Sequence, residues 1–321
     1  MVRPVRIFRH ERAPESDRGA AVALGNFDGV HPGHQAVIAA AGAAARNAGA
    51  HHAVLTFEPH PFSVFRPEAP PFRLTPLRVK SRQIEALGVD LMFALHFDRA
   101  FAAKTAEQFV DEILVRGLDA RHVAVGYDFV FGNRRAGNAD FLLAQAKQKG
   151  FTVSVVPPVK TADGSTYSST RIRDHLTAGR SREAAKLLGR WWEIDGRVEA
   201  ATGLGHKLGY PTANLPLADY LRPAPGIYAA FAGIEDGGRT DWHLAAAYLG
   251  SRPTLGEFPL SLEAYLIDFA GDLYGHHLRL ALVERLRDDA AFPGVDALQA
   301  QMARDVAASR AALAREKPPS A

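Results

Sequence analysis

The chain has no cysteine among its 321 residues. Disulfides, thiolate nucleophiles and cysteine-built zinc sites are therefore excluded. Long apolar runs are missing too: none approaches the ~18 residues that a membrane span needs. Met1–Arg12 is basic but lacks the apolar centre of a secretory signal. The expectation is a cytoplasmic protein with no membrane partner. Neither sign of charge dominates, since 38 Lys and Arg stand against 35 Asp and Glu for a net charge of +3. With no basic block, nucleic acid is a poor candidate partner, and anionic small molecules suit the balance as well as anything. Internal repeats are absent, as is low complexity beyond alanine richness. What remains is 47% hydrophobic and 23% charged, an ordinary globular composition, and long enough for two domains.

The first half alternates in texture. Strand-like apolar runs fall at Ala20–Leu24, Ala53–Phe57, Leu91–Phe97, His122–Val125 and Phe151–Val156, with helical stretches between them. Thr105-Ala106-Glu107-Gln108 reads as a capping box opening a helix to Arg116, and Asn138 as the cap of a helix ending before Gly150. Leu77–Leu87 has helical spacing and stops at Gly88. This order predicts an α/β domain with a parallel sheet covered on both faces. In the second half, short β-type runs take over: Trp191–Glu199, Gly226–Gly233, Trp242–Leu249, Ser261–Phe269 and His277–Val283. Turn signals such as Glu235-Asp236-Gly237-Gly238 separate them, which predicts a small all-β barrel or sandwich. The tail Val295–Arg315 reads as a helix capped by Asp296 and Gln299, and Lys317–Ala321 as a frayed end. The expected domains are 1–185 and 186–321.

Gly25-Asn26-Phe27-Asp28-Gly29-Val30-His31-Pro32-Gly33-His34 joins the strand Ala20–Leu24 to an Ala-rich helix, Ala36–Arg46. Free amides and the helix dipole favour phosphate at such a junction. His31 and His34, at i and i+3, share a helix face and can reach the same phosphoryl oxygens. A Gly-rich turn alone is weak evidence, and two histidines there can simply be solvated. The His-x-Gly-His tetrad on a strand–turn–helix is much rarer and marks one class of nucleotidyltransferases. Ser168-Ser169-Thr170-Arg171-Ile172-Arg173 adds hydroxyls and arginines at a second predicted helix start, either a cap with surface arginines or a phosphate clamp. Gly126–Gly132 places aromatics and Asp128 after a strand, as a core strand end or as a wall for a flat ring.

Gly203-Leu204-Gly205-His206-Lys207-Leu208-Gly209-Tyr210 runs into Pro211-Thr212-Ala213-Asn214. It lacks Walker A spacing. In extended chain Thr212 and Asn214 share a face, and their neutral oxygens leave room for waters and phosphate around Mg²⁺; a capped turn is the other reading. Glu263 lies in Leu262–Phe269, a run apolar on both faces by sequence. A carboxylate there must be paired or used, in a salt bridge or as a general base toward an alcohol.

Taken in order, these segments resemble the bacterial bifunctional riboflavin kinase/FAD synthetase family from about residue 18 to the tail. Further carriers are Thr56-Phe57-Glu58-Pro59-His60-Pro61, Arg73-Leu74-Thr75, Arg252-Pro253-Thr254, Gly271-Asp272-Leu273-Tyr274-Gly275, and Leu286-Arg287 with Phe292. The resemblance implies a Rossmann-like nucleotidyltransferase domain, then a six-stranded barrel with a terminal helix. It implies riboflavin, FMN and ATP as partners and Mg²⁺ as cofactor, and leaves self-association open. Glu263 is then the kinase base, Thr212 and Asn214 the Mg²⁺ site, and Gly203, Gly205, Lys207, Gly209, Pro211 and Arg287 binding residues. In the first domain His31, His34 and Arg171 are catalytic, with Gly25, Asn26, Phe27, Asp28, Gly29, Asp128, Ser169 and Thr170 binding. The chain departs from the family pattern at Val130, His206, Tyr248 and Tyr265. A single active module, a different His-x-Gly-His transferase and a non-catalytic flavin binder are the rivals. The intact His31, His34, Asn214 and Glu263 speak against the last of these.

Overall fold

Alternating buried positions dictate the layering of the first part of the chain. In the computed structural model, which describes residues 4–199, 210–251 and 260–319, strand β2 (Ala21–Leu24) is buried on both faces. Val22 and Leu24 join one apolar core, while Ala23 joins another on the opposite side of the sheet. The chain falls into two compact units, Met1–Pro70 with Thr75–Ser168, and Pro71–Leu74 with Ser169–Ala321.

The first unit runs β1 (Arg6–Phe8), β2, α1 (Pro32–Ala48), β3 (His52–Glu58), α2 (Pro61–Phe65), α3 (Leu77–Glu85), β4 (Leu91–His96), α4 (Arg99–Ala102), α5 (Ala106–Gln108), β5 (His122–Gly126), α6 (Ala139–Lys149) and β6 (Thr152–Val156). Its six strands are parallel in the order β1-β4-β3-β2-β5-β6. The chain builds leftward from β2 through β3 and β4, then returns to place β5 on the other side. The strand order therefore reverses beside β2, and in sheets of this kind ligands bind beyond the carboxyl ends of the strands at such a reversal. The expected capping box is present: Thr105 Oγ1 accepts from Gln108 N–H at 3.1 Å, and Gln108 Oε1 from Thr105 N–H at 2.8 Å. Past Gln108 the helix widens into π-helical winding over Phe109–Gly117. Strand β1 is not signalled by the sequence. At three residues on the sheet edge, it is too short to display a period.

The second unit holds α7 (Ser169–Thr177), α8 (Ser181–Leu188), β7 (Trp192–Arg197), β8 (Thr212–Leu215), β9 (Gly226–Asp236), β10 (Arg239–Gly250), β11 (Ser261–Leu266), β12 (His277–Arg287) and α9 (Val295–Leu313). Its six strands are antiparallel in the order β7-β12-β9-β10-β11-β8. The sheet curls until its edges meet at a bridge where Glu199 N–H donates to Asn214 C=O at 3.0 Å. Gly237 and Gly238, at φ 53° and 87°, make the two-residue β9–β10 turn, the mirror-image geometry that matches strand twist. Leu313 of α9 packs on Ala229, Phe231, Ala281 and Val283.

Two expectations about the tail need correction. Gly294 precedes α9 with no side-chain cap, and Asp296 lies in the first turn. Of the expected frayed end Lys317–Ala321, the first residue is tied down, as is Glu316 before it, and residues 320–321 lie outside the described residues. Glu316 ion-pairs with Arg182 at 2.5 Å, and Lys317 C=O accepts from Trp191 Nε1 at 3.1 Å.

Candidate active sites

The histidine turn leaves the carboxyl end of β2 at the strand-order reversal. Its backbone is sharply folded, with Phe27, Gly29 and Val30 at φ 50°, 94° and 42°. Buried polar groups hold that path. Asp28 Oδ1 accepts from Thr75 N–H at 2.9 Å and from its hydroxyl at 3.2 Å, while Thr75 Oγ1 accepts from Gly29 N–H at 2.8 Å. Asn26 C=O accepts from Lys80 Nζ at 2.7 Å and from Thr56 Oγ1 at 3.0 Å. Asp28, Thr75, Thr56 and Lys80 are all buried.

His31 caps α1: its Nδ1 accepts from His34 N–H at 3.4 Å, and Pro32 begins the helix. The two imidazoles stack with centroids 3.7 Å apart and planes 20° apart. Phe27 meets His34 edge-on at 5.4 Å. Gly33 makes the stack feasible, because a Cβ there would lie 3.1 Å from His31 Cε1. The tetrad is thus a packing solution: a cap, a proline at the first turn, a bare position beside the first ring, and the second ring stacked on it.

Asp128 follows β5, and a Cβ on Gly126 would meet its Oδ1 at 3.2 Å. The aromatics of Gly126–Gly132 divide. Phe131 is buried against Phe109 and Phe141, whereas Tyr127 is half exposed. Ser169, Thr170 and Arg171 open α7 and belong to the second compact unit; Ile172 and Leu176 bury that helix.

In the second unit the candidate residues converge across two paired strands. Glu263 on β11 stands directly opposite Asn214 on β8, and Tyr265 opposite Thr212. Thr212 Oγ1 donates to Glu263 Oε2 at 3.3 Å, Ser261 Oγ to Glu263 Oε1 at 3.2 Å, and Asn214 Nδ2 to Thr212 C=O at 3.4 Å. The run around Glu263 is apolar on both faces by sequence, yet along β11 only one of those faces is buried. Leu262, Ala264 and Leu266 are buried, while Ser261, Glu263 and Tyr265 form the partly exposed face. Glu263 is therefore half-buried, and both of its carboxylate oxygens accept from hydroxyls.

Arg287 ends β12 in a two-pronged ion pair. Its Nε and Nη2 donate to Asp305 at 2.8 and 2.6 Å, Nη1 donates to Asp288 C=O at 2.8 Å, and Phe292 lies under the guanidinium at 5.7 Å. The hydrogen bonds to Asp305 hold that guanidinium above its ordinary pKa. Gly203, Gly205, His206, Lys207, Gly209 and Arg252-Pro253-Thr254 lie outside the described residues. Among the described residues, no group of three His, Cys, Asp or Glu could cage a metal. Thr212, Asn214 and Glu263 present hard oxygen donors of the type that Mg²⁺ takes when it keeps waters and substrate phosphates.

Lys80 and Thr75 carry the turn, and residue-by-residue reading assigned neither a role. A signal existed for Lys80: with Leu77 and Ile84 it occupies the apolar stripe of α3, an odd place for a cation.

An α/β nucleotidyltransferase domain and an antiparallel curled-sheet flavokinase domain, carried on one chain, are the class that this fold and these sites define. Residues 13–171 match the FAD synthetase family and residues 188–313 the riboflavin kinase family. The bifunctional riboflavin kinase/FMN adenylyltransferase of Escherichia coli K12 is 37% identical over 311 residues, 96% of this chain and 97% of the relative. Its counterpart from Pseudomonas fluorescens is 40% identical over 306 residues, 95% and 96% of the two chains. A solved Streptococcus pneumoniae structure, described as a macrolide-efflux protein, superposes with a TM-score of 0.81 at 29% identity, covering 96% of this chain and 99% of the other. The chain belongs to the bifunctional riboflavin kinase/FMN adenylyltransferase family. No helix among the described residues is long and apolar enough to cross a membrane.

Proposed function

We propose that the chain makes FAD from riboflavin in two ATP-dependent steps run by separate sites, residues 186–321 forming FMN and residues 1–185 forming FAD. The carrying observation is the alignment of Asn214 with Glu263, whose carboxylate is held by Thr212 and Ser261. Glu263 takes the proton from the ribityl 5′-hydroxyl as that oxygen bonds to the γ-phosphorus of ATP and ADP departs. Thr212 and Asn214 hold Mg²⁺, which when bound neutralises charge on the transferring phosphoryl group. Gly203, Gly205, Lys207, Gly209 and Pro211 cradle the nucleotide, and Arg287 lies on the acceptor side.

In the first half the FMN phosphate bonds to the α-phosphorus of a second ATP and pyrophosphate leaves. That nucleophile is already ionised at neutral pH, so no base is needed. Stacked His31 and His34, with Arg171, stabilise charge on the phosphoryl group in flight. The Gly25–Gly29 turn, Asp128, Ser169 and Thr170 bind the nucleotide. We place the enzyme in the cytoplasm, where ATP is supplied.

The test is a time course with riboflavin, excess ATP and Mg²⁺, resolving flavins by chromatography. FMN should rise and then give way to FAD. Glu263→Gln should abolish FMN formation yet convert supplied FMN to FAD, and His31→Ala should do the reverse. If either substitution stops both steps, the two-site assignment is wrong.

A further inference from the structure

Tyr248 departs from the family pattern and has no role in the chemistry above. Its place in the sheet is specific. Strand register aligns Asn214, Glu263, Tyr248, Ile227 and Arg287 in one row across β8, β11, β10, β9 and β12. Directly opposed residues share a face of a sheet, so Tyr248 neighbours the proposed base on its own side.

The phenol lies over Gly250, and its hydroxyl donates to Asp289 Oδ2 at 3.0 Å. A Cβ on Gly250 would collide with the ring and stand 2.6 Å from Asp289 Oδ2, so the bare glycine is what admits the pair. Asp289 in turn holds the backbone after it, its Oδ1 accepting from Ala290 N–H at 2.8 Å. Two residues earlier, Arg287 is clamped to Asp305 of α9. The segment from Arg287 to Phe292 is thus tied to α9 at one point and to β10 at another, and it lies at the far end of the row that starts at Asn214 and Glu263.

We propose that Tyr248 is a positioning residue for the flavin acceptor: its bond to Asp289 holds the Arg287–Phe292 segment in its binding-competent place before riboflavin arrives. The proposal rests on the readings of Glu263 as the kinase base and of Arg287 as a residue on the acceptor side. A segment already ordered does not have to be ordered by the ligand, so the bond acts on affinity and leaves the chemical step alone.

The experiment measures kcat and KM for riboflavin in FMN formation, with the riboflavin Kd from quenching of flavin fluorescence. Tyr248→Phe should raise KM and Kd about fivefold, the worth of one partly exposed hydrogen bond to a carboxylate, with kcat within about twofold. Asp289→Ala should do the same, and the double variant should be no worse than either single. Asp289→Asn, which keeps an acceptor oxygen, should return most of the affinity. An unchanged or lowered KM in Tyr248→Phe, or a double variant whose effects multiply to about 25-fold, overturns the proposal. Glu263→Gln run alongside separates the two readings. Full kinase activity in that variant refutes the base assignment, whereas its loss together with an unmoved Tyr248→Phe refutes the positioning role alone.

Discussion

Lys80 is fully buried, and its ammonium donates to the carbonyl of Asn26 in the histidine turn and to Thr56 at 3.3 Å. Removing it leaves buried acceptors short of a donor. Lys80→Met should destabilise the first unit by about 1.5–3 kcal/mol and impair FAD formation, while FMN formation persists; thermal melts and the flavin time course report both. Gly33 acts in the other direction. Alanine is a better helix residue than glycine, but its methyl would press on the His31 ring. Gly33→Ala should leave the melting temperature nearly unchanged while slowing FAD formation about tenfold, because a displaced imidazole loses its line on the phosphoryl group. A variant equally active and equally stable would show that the stack has slack. The tetrad was readable as a motif; that its glycine exists to seat one imidazole on another was not, because stacking is a contact between side chains and not a spacing.

Elements differ in how plainly their residues announce them. The capping box at Thr105 and the glycine pair at 237–238 are local devices, and each appears where its residue types predict. Strand β11 misleads, since Tyr265 counts as apolar in a pattern yet lies on the accessible face with Glu263. Strand β8 hides inside a Pro-Thr-Ala-Asn stretch because its partner β11 follows some fifty residues later. At the β5–β6 edge, His122 pairs with Thr152, its Nδ1 2.8 Å from Oγ1, and burial pushes the imidazole below its ordinary value. The unfolded chain therefore binds a proton near pH 6.5 that the folded chain takes only at lower pH. His122 costs no stability above about pH 6.5, and stability falls as pH drops through the window below it. Melts between pH 7 and pH 5 should show a smaller acid-side drop in His122→Gln than in the parent.

Across the whole molecule, the two activities are assigned to separate sets of residues, and a change confined to one set should leave the other activity standing. The C-terminal tie offers a test. Arg182 joins Glu284 at 2.7 Å and Glu316 at 2.5 Å, and Trp191 donates to Lys317. Removing residues 315–321 should destabilise the second unit by about 1 kcal/mol, since the arginine is partly exposed and its pairs are screened. Calorimetry should then show one transition moving down, with FAD formation from supplied FMN unaltered.

By itself the sequence determined the α/β-then-β order, the strand–turn–helix junction that carries the two histidines, and the family with its two phosphoryl-type transfers. Those follow from periodicity, turn chemistry and residue type, all of which act over a few positions. Tertiary structure alone decided that the strand order reverses beside β2, that Lys80 and Thr75 hold the turn, and that Glu263 stands half-buried opposite Asn214. It also decided that Tyr248 reaches Asp289. Each depends on register or packing between segments distant in the chain, where a single residue's slip reverses every side chain's face and no local pattern records which partner is met.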